Sequence, residues 1–208
     1  MTYSATGTDV ADYLGLDAGI PASASDRVDR LIAKAEDAVA GELPGFTFGA
    51  TSAGTVTVYG DGDDYLLLPY YPASNVTACT VGGTVVDVAE LAVDSLGRLR
   101  RYSGDTNNPH RTEGARSRWP DDGVAVVVTY DYGVGSASAC PPEVAAVVVE
   151  LVAVRYTNPD GIVQESLGDR SRMFSQSSSS AGLELSAGQL RRLRNWRRNR
   201  VASARMRA

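Results

Sequence analysis

Apolar residues recur at helical spacing in two long stretches of the chain, one before residue 45 and one after residue 140. In the first stretch they make one stripe, as expected for a helix that buries a single face. The stripe consists of Val28, Leu31, Ile32, Ala35 and Val39. The second stretch begins at Pro141 or Pro142, which suits a first helical turn, and its apolar face is wider. That face consists of Val144, Val147, Val148, Leu151, Val152 and Tyr156.

Polar and glycine residues predict where these helices begin and end. The stretch "TGTDVADYLG" predicts a short first helix, which Thr8 or Asp9 caps and Gly15 ends. Ser23 or Ser25 is expected to cap the longer helix. Gly41 and Pro44 are expected to close that helix, and the Asn158-Pro159 pair to end the later one. Ser186 is expected to cap a final helix.

Between about residues 50 and 135 the pattern changes to short β-branched and aromatic runs separated by Gly, Asp and Asn. The stretch "TVGGTV" is a strong hairpin signal, because Gly82 and Gly83 can both adopt positive φ. Strands at this spacing predict a small antiparallel sandwich or barrel. Residues 103–122 lack periodicity and predict a long exposed loop. A further hairpin is possible at "GIVQESLGDRSRMF", turning near Gly168.

The order of these elements predicts an α+β fold, with a small bundle of about four helices and an inserted antiparallel β domain. We assign residues 1–49 and 136–208 to the helical domain, with a C-terminal arm at 186–208. Residues 50–135 form the predicted insert. Domain insertions of this kind are tolerated in exposed surface loops, where the two ends of the inserted segment lie close together.

Charge divides the chain into two very unequal parts. The sequence of 208 residues has 20 basic and 25 acidic residues, so its formal net charge is −5. All the acids and 12 of the bases precede residue 191, which gives 12 − 25 = −13, and the last 18 residues carry +8. Such asymmetry is typical of a tail that interacts with something else.

The arginine-rich C-terminus predicts a helix with two different faces. At about 100° per residue, Leu190, Leu193 and Trp196 form an apolar stripe that can pack on the helical body. Four arginines lie on another face: Arg191, Arg194, Arg198 and Arg205. A solvated helix end, a grip on nucleic-acid phosphates and an anchor on a protein partner are all open. An acidic body repels phosphates at longer range, which favours the protein partner.

Catalytic and metal chemistry finds little support in the sequence. The single histidine, His110, lies in the predicted loop, without the fixed partners that a nucleophilic relay needs. Asp61, Asp63 and Asp64 lack the spacing of a calcium loop and fit a turn between strands. Cys79 and Cys140 form no metal motif, so buried free thiols are expected. We therefore expect a protein that is not an enzyme, with no catalytic residues, no metal and no cofactor.

Aromatic residues of the β region leave a third class of function open, a carbohydrate- or ligand-binding module. Such residues could line a pocket, although they more often belong to a core or to strand pairs. They are Tyr59, Tyr65, Tyr70, Tyr71 and Trp119. Neither a secretory signal nor a membrane span is expected, because the N-terminus is polar and no apolar run is long enough.

Four stretches in order resemble the head–tail connector (adaptor) proteins of tailed bacteriophages. They are "TGTDVADYLG", "RVDRLIAKAEDAVAGELPG", "CPPEVAAVVVELVAVRYTNPDGIVQESLGDRSRMF" and "GLELSAGQLRRLR". The resemblance covers roughly residues 8–48 and 138–196. It implies a structural virion protein, assembled in the bacterial host cytoplasm and located at the head–tail interface. The β region departs from the compact members of that family, which are mainly helical.

The resemblance also implies the partners of the chain. It implies a homo-oligomeric ring, usually of twelve subunits, bound beneath the portal protein. The ring would extend the DNA channel and offer a platform to a head-completion (stopper) or tail protein. Double-stranded phage DNA would pass through without sequence-specific binding, and no membrane is involved. The alternative is a nucleic-acid-binding module that uses the C-terminal arginines.

Two groups of residues are the candidate sites under this interpretation. The C-terminal group would bind the portal or another partner, and it consists of Leu190, Arg191, Leu193, Arg194, Trp196, Arg197, Arg198 and Arg200. The second group would lie in a loop near the channel or the next ring, and it consists of Gln164, Glu165, Asp169, Arg170 and Arg172.

Overall fold

The computed structural model describes residues 4–102, 116–121, 123–158, 164–167, 170–173 and 183–197. These residues form two compact units, divided after Pro44 and after Gly133. One unit is mainly helical and the other consists of two antiparallel sheets, so the predicted α+β fold with four helices is confirmed. The assignment of 50–135 as an inserted domain stays a prediction.

The helical unit begins with α1, Gly7–Leu14, whose start differs from the prediction. Thr6 is the cap: its hydroxyl accepts from the Asp9 N–H, and the Asp9 carboxylate accepts from the Thr6 N–H at 2.6 Å. This capping box needs the polar residue three positions before Asp9, so the prediction of Thr8 or Asp9 as the cap was wrong. Gly15 ends the helix with φ 66°, as predicted.

The long helix α2, Ala22–Glu42, begins earlier than its serines suggested. Pro21 is the N-cap residue and makes no side-chain capping bond, so Ser23 and Ser25 lie inside the helix. Proline fixes the backbone at the helix entrance without a hydroxyl cap, which explains the error. Leu43 ends the helix, one residue before Pro44 and two after Gly41. The predicted apolar stripe faces inward: Val28, Ile32, Ala35 and Val39 are buried.

The third helix, α3, spans Pro142–Thr157 and ends at Asn158, as predicted. Pro142 occupies the first turn, and most of the apolar residues that follow are buried, on more than one face. Helices buried on several sides form the centre of a packed layer. Both α1 and α2 contact α3, which makes α3 the central helix of the unit.

A buried carboxylate fastens the N-terminal segment to α2. Glu36 is only 5% exposed, and it accepts hydrogen bonds from the backbone N–H and the hydroxyl of Ser4, both at 2.7 Å. Buried charges need such partners, because removal from water is costly without them. The segment before α1 is therefore fixed by a specific polar contact.

Two short strands and a short helix complete the helical unit. The strands β9, Gln164–Leu167, and β10, Arg170–Met173, pair antiparallel, which confirms the possible hairpin. The fourth helix, α4, spans Ala187–Arg192. None of the described helices is both long and apolar enough to cross a membrane.

The β unit, residues 45–133, contains two open sheets, so the structure corresponds to the sandwich alternative and not to a closed barrel. One sheet has the order β1-β8-β3-β4, and the other has β2-β6-β5 with β7 paired to β6. The strands are β1 Thr51–Tyr59, β2 Tyr65–Leu67, β3 Ala73–Val81, β4 Thr84–Val85, β5 Leu91–Val93, β6 Arg98–Tyr102, β7 Arg116–Ser117 and β8 Ala125–Tyr132. Gly82 and Gly83, with φ 56° and 84°, form the predicted β3–β4 turn.

The core of the β unit receives alternate residues of both sheets. Leu66 and Leu99 come from one sheet, Val126 and Val128 from the other, and all four are at most 3% exposed. Trp119 closes this core at 2% exposure. Alternation of buried and half-buried residues along β8 is the period-2 pattern expected of a strand with one face in the core.

Asp131 on the central strand β8 accepts hydrogen bonds from two residues of the neighbouring strands that have an unusual backbone conformation. Ala53 in β1 and Asn75 in β3 have φ 49° and 43°, which is unfavourable for residues with a Cβ. One carboxylate oxygen accepts from the Ala53 N–H and the other from Asn75 Nδ2, both at 2.8 Å. These bonds favour the charged form, so the pKa of Asp131 is lowered.

We predict that Asp131→Asn lowers the stability of the β unit, because the neutral amide cannot accept from both strands equally well. The pKa of Asp131 is lowered on folding, so its stabilisation is present above the unfolded-state pKa. That stabilisation disappears as the pH falls through the lower folded-state pKa. Urea unfolding followed by Trp119 fluorescence in a Trp196→Phe background measures this. Asp121→Asn, at an exposed position, is the control. Equal pH dependence of D131N and the parent would contradict the assignment.

Candidate partner-binding surface at the C-terminal helix

The short helix α4 is defined at its start by a complete capping box. The Ser186 hydroxyl accepts from the Gln189 N–H at 3.3 Å, and Gln189 Oε1 accepts from the Ser186 N–H at 2.9 Å. Each side chain thus satisfies a backbone donor that the first turn leaves free. Ser186 as the cap is confirmed.

The helix is shorter than a continuous arm over 186–208 implies. Regular α-helix ends at Arg192, and a 3₁₀ turn follows at Leu193–Asn195. Such i→i+3 turns often tighten the last turn of a helix. The description ends at Arg197, so Arg198 and Arg200 lie outside the described residues, as does Arg205.

The predicted apolar stripe faces the chain itself. Leu193 is 1% exposed, and Leu190 and Trp196 are half-buried. Because burying a leucine contributes about 2 kcal/mol, Leu193 is the main apolar anchor of this segment. Leu193 is therefore inaccessible to a partner while α4 stays docked. Leu193 can therefore contribute to partner binding only by holding α4 in place.

A carboxylate on α3 secures the same helix by charge. Glu150 Oε1 accepts from Arg192 Nη1 at 2.7 Å, and Glu150 Oε2 accepts from Arg192 Nη2. Gln189 Nε2 also donates to Glu150 Oε2, at 3.3 Å. A bidentate arginine–carboxylate pair fixes orientation as well as distance. The clasp, as we call Glu150, Gln189 and Arg192, sets how α4 lies on α3.

The clasp changes the protonation behaviour of its members. Hydrogen bonding from Arg192 lowers the pKa of Glu150, against a smaller effect of burial. The same bond raises the pKa of Arg192. Both side chains therefore stay charged over a wider pH range than they would alone.

Three arginines remain on the outside of this segment. Arg191, Arg194 and Arg197 are exposed, and none of them makes a salt bridge among the ion pairs of the described residues. Arg191 and Arg194 are three positions apart, so they lie on neighbouring parts of the helical surface. The structure thus leaves the three described arginines of the predicted partner-binding group accessible. Their role in binding stays a prediction.

Two residues of this surface were absent from the sequence-based prediction. The prediction did not include Arg192 among the partner-binding arginines, and it assigned no role to Glu150. A lone acid within "VAAVVVELVAV" was a usable signal, because a charged residue in an apolar face needs a partner. Which of eight arginines would meet it could not be read from spacing.

The second predicted group lies in the β9–β10 hairpin. Gln164 and Glu165 belong to β9, and Arg170 and Arg172 to β10, where Glu165 and Arg172 are paired positions. Asp169 lies outside the described residues. A role near a channel or a second ring stays a prediction.

The described aspartates and cysteines that were considered for metal binding occupy structural positions. Asp61, Asp63 and Asp64 lie between β1 and β2, as predicted for a turn, and Asp64 approaches Arg118 at 3.8 Å. No cluster that could hold a metal ion occurs among the described residues. Cys79 and Cys140 are free and buried, and burial raises the pKa of Cys140 to about 12.

Of the candidate aromatic residues of the β unit, Tyr65 lines a surface cavity with Arg100 and Arg118, and three others take part in packing. Tyr71 and Trp119 are buried, and Trp119 Nε1 donates to the Leu99 carbonyl at 3.1 Å. Tyr70 stacks on Tyr132 with ring centroids 4.8 Å apart. Burial accounts for Tyr71 and Trp119, and ring stacking accounts for Tyr70.

No protein-family model and no curated protein matches this sequence. Solved structures do resemble it. A chain in the neck of an empty gene transfer agent (GTA) particle, computed with C6 symmetry, is 19% identical over 97% of this chain and 93% of that chain, with a TM-score of 0.50. At this identity the likeness establishes a shared fold over nearly the full length of both chains.

Two further structures give weaker likenesses. A chain in the virion of a native GTA particle is 20% identical, covers 99% of this chain and 98% of that chain, and has a TM-score of 0.46. A chain in the neck of a native GTA particle, computed with C12 symmetry, is 16% identical, covers 99% of each chain, and has a TM-score of 0.42.

We predict that Leu193→Ala loosens α4, because a buried leucine-to-alanine change typically costs about 2–5 kcal/mol. Hydrogen exchange of the amides in Ala187–Asn195 reports the loss as faster local opening. Leu190→Ala, at a half-buried position, is the matched control and should have a clearly smaller effect. Equal effects of the two substitutions would contradict the anchor assignment.

We predict that Glu150→Gln and Arg192→Gln each weaken α4 docking by at most about 1 kcal/mol, because the pair is partly solvated. The two effects should not add in a double-mutant cycle, whereas Arg191→Gln should add nothing. The pKa of Glu150 is lowered by docking, so the contribution is present above its undocked pKa and lost as the pH falls through the docked value. Hydrogen exchange of α4 between pH 7 and pH 3 tests both points. Additive effects or an unchanged pH profile would count against the clasp.

Proposed function

We propose that this protein is a structural component of the neck of a phage-like particle, an adaptor that forms a ring beneath the portal. The observation that supports it best is the fold shared over 97% of the chain with a chain from a GTA particle neck. The resemblance of the sequence to phage head–tail connector proteins is independent support. It implies twelve copies, a continuous DNA channel and a platform for the next connector or tail protein.

The charge distribution fits this role. An acidic body repeated around a ring repels the phosphate backbone, so DNA can move through without being held. The basic residues are concentrated at the other end of the sequence, where the described arginines are accessible on α4. Opposite charges within one chain thus separate two tasks, passage of DNA and attachment to a protein.

The geometry of α4 suits attachment. Leu193 and the clasp hold the helix on its own subunit, so Arg191, Arg194 and Arg197 are presented at defined positions. Pre-positioned arginines lose less conformational entropy when they pair with carboxylates or carbonyl oxygens of a partner. In a ring, many such contacts act together, and modest individual contacts give firm attachment. We propose the portal protein as the partner.

We predict that the double variant Arg191→Gln/Arg194→Gln folds normally but joins filled heads to tails at least tenfold less often. Two partner-facing arginines at about 1–2 kcal/mol each per subunit account for such a loss. Counting tailed and tailless particles by electron microscopy measures it. Arg30→Gln/Lys34→Gln on α2 removes the same charge from exposed helical positions and is the matched control.

Three outcomes decide between the possible roles. Normal joining by the α4 variant would contradict attachment through these arginines. Absence of density for the chain in the particle neck would contradict the structural role itself. If the same arginines bind duplex DNA with an affinity that falls steeply with salt, the nucleic-acid-binding alternative replaces the attachment role.

A further inference from the structure

The strand β1 leaves one edge of its sheet open. β1 pairs with β8 on one side, and no described strand pairs with its other side. Its sequence, "TSAGTVTVY", has no charged residue and no proline. Folded proteins usually protect such edges with charges, prolines, bulges or short length, because open edges invite pairing with another chain. The opposite edge of this sheet, β4, has only two residues and is protected by that shortness.

The irregularity of β1 protects only its beginning. The register shift lies between Thr51 and Gly54, and from Gly54 to Tyr59 the pairing with β8 is regular. Six residues of regular strand span about 20 Å. Thr55, Thr57 and Tyr59 in this part are exposed. The open edge is therefore long enough to accept another strand.

Hydrogen bonding in the sheet shows which backbone groups of β1 point outward. The Gly82 N–H donates to the Ala125 carbonyl at 2.9 Å, so the backbone of Ala125 faces β3. Backbone direction alternates along a strand, so Val126 and Val128 of β8 face β1. Their paired positions in β1 are Val58 and Val56.

The residues that alternate with those two positions along β1 therefore have outward N–H and C=O groups. They are Thr55, Thr57 and Tyr59, the same three residues whose side chains are exposed. Within the described part of the chain, no strand takes up these groups. A strand from another molecule can bond to them without any change in the β1–β8 pairing.

The β9–β10 hairpin also has strands without a second pairing partner among the described residues. Its two strands of four residues pair only with each other among the described residues. A hairpin of two strands is marginally stable in water, and a third strand or a packed face is needed to make it independent. A four-residue strand spans about 13 Å and so fits within the open edge of β1.

We propose that the open edge of β1 accepts the β9–β10 hairpin of a second copy of this chain, and that this pairing joins neighbouring copies. The proposal rests on the ring of the proposed function. A closed ring of more than two copies needs two different surfaces on each copy, because pairing of β1 with β1 stops at a two-fold dimer. Of the other described strands with an open edge, β2, β4, β5 and β7 have two or three residues. With four residues each, β9 and β10 are longer than these strands and can form more hydrogen bonds with β1.

Cysteine crosslinking tests the pairing directly. Thr57→Cys is combined with Ser166→Cys on β9, or with Ser171→Cys on β10, and assembled particles are treated with a short bismaleimide. The native Cys79 and Cys140 are buried, which keeps the background low. We expect one of the double variants to lose its monomer band on a denaturing gel and to give a ladder that extends beyond the dimer. Each single-cysteine variant should remain mainly monomeric.

Distinct results overturn the pairing and the ring separately. A dimer from Thr57→Cys alone means that β1 pairs with β1, and no ladder from either double variant in particles with normal neck density rules out the hairpin contact. In both cases the adaptor role stands. Missing neck density contradicts the proposed function instead.

A backbone variant supplies a second measurement. Thr57→Pro removes an outward N–H and should reduce ring assembly at least tenfold. Thr57→Val keeps that N–H and is its control. If thermal melting shows that Thr57→Pro is unfolded, the crosslinking result alone decides.

Discussion

The contact between Arg192 and Glu150 is the constraint on which the candidate surface depends. Glu150 lies in the middle of the largely apolar helix α3, and Arg192 donates to it from both terminal nitrogens of its guanidinium group. With Leu193 buried beside it, this contact fixes the rotation of α4 about its own axis. The rotation decides which arginines are used internally and which face outward. Without Leu193 and this contact, the basic segment would have no fixed orientation on its own subunit.

The β unit shows a comparable use of one side chain to control geometry. Asp131 accepts from a backbone N–H of β1 and from a side chain of β3, at the two described non-glycine residues with positive φ. These points make the beginning of β1 irregular and leave the rest regular. The open edge that we propose as an interface between copies is thus limited at one end by the same carboxylate. The strained residue at the start of β1 therefore also sets where the regular, accessible part of this edge begins.

Much of the fold could be predicted because its signals are local. The apolar stripe of α2, the Pro142 start and Asn158 end of α3, and the Gly82-Gly83 turn each depend on neighbouring residues, and the structure confirms them. The caps of α1 and α2 were predicted wrongly because several polar residues competed for each position. Thr6 forms a capping box only because Asp9 lies three residues later, and Pro21 begins α2 without any polar cap.

The sequence by itself determined the α+β class, the inward apolar stripe of α4 and the separation of acidic and basic parts, because these follow from periodicity and composition. Only the tertiary structure decided that Arg192 meets Glu150, that Asp131 joins three strands and that no other described strand pairs with the outer edge of β1. Those contacts bring together residues 42 and 78 positions apart in the chain. Spacing along a sequence carries no information about such distances, because they are set by how whole helices and sheets pack.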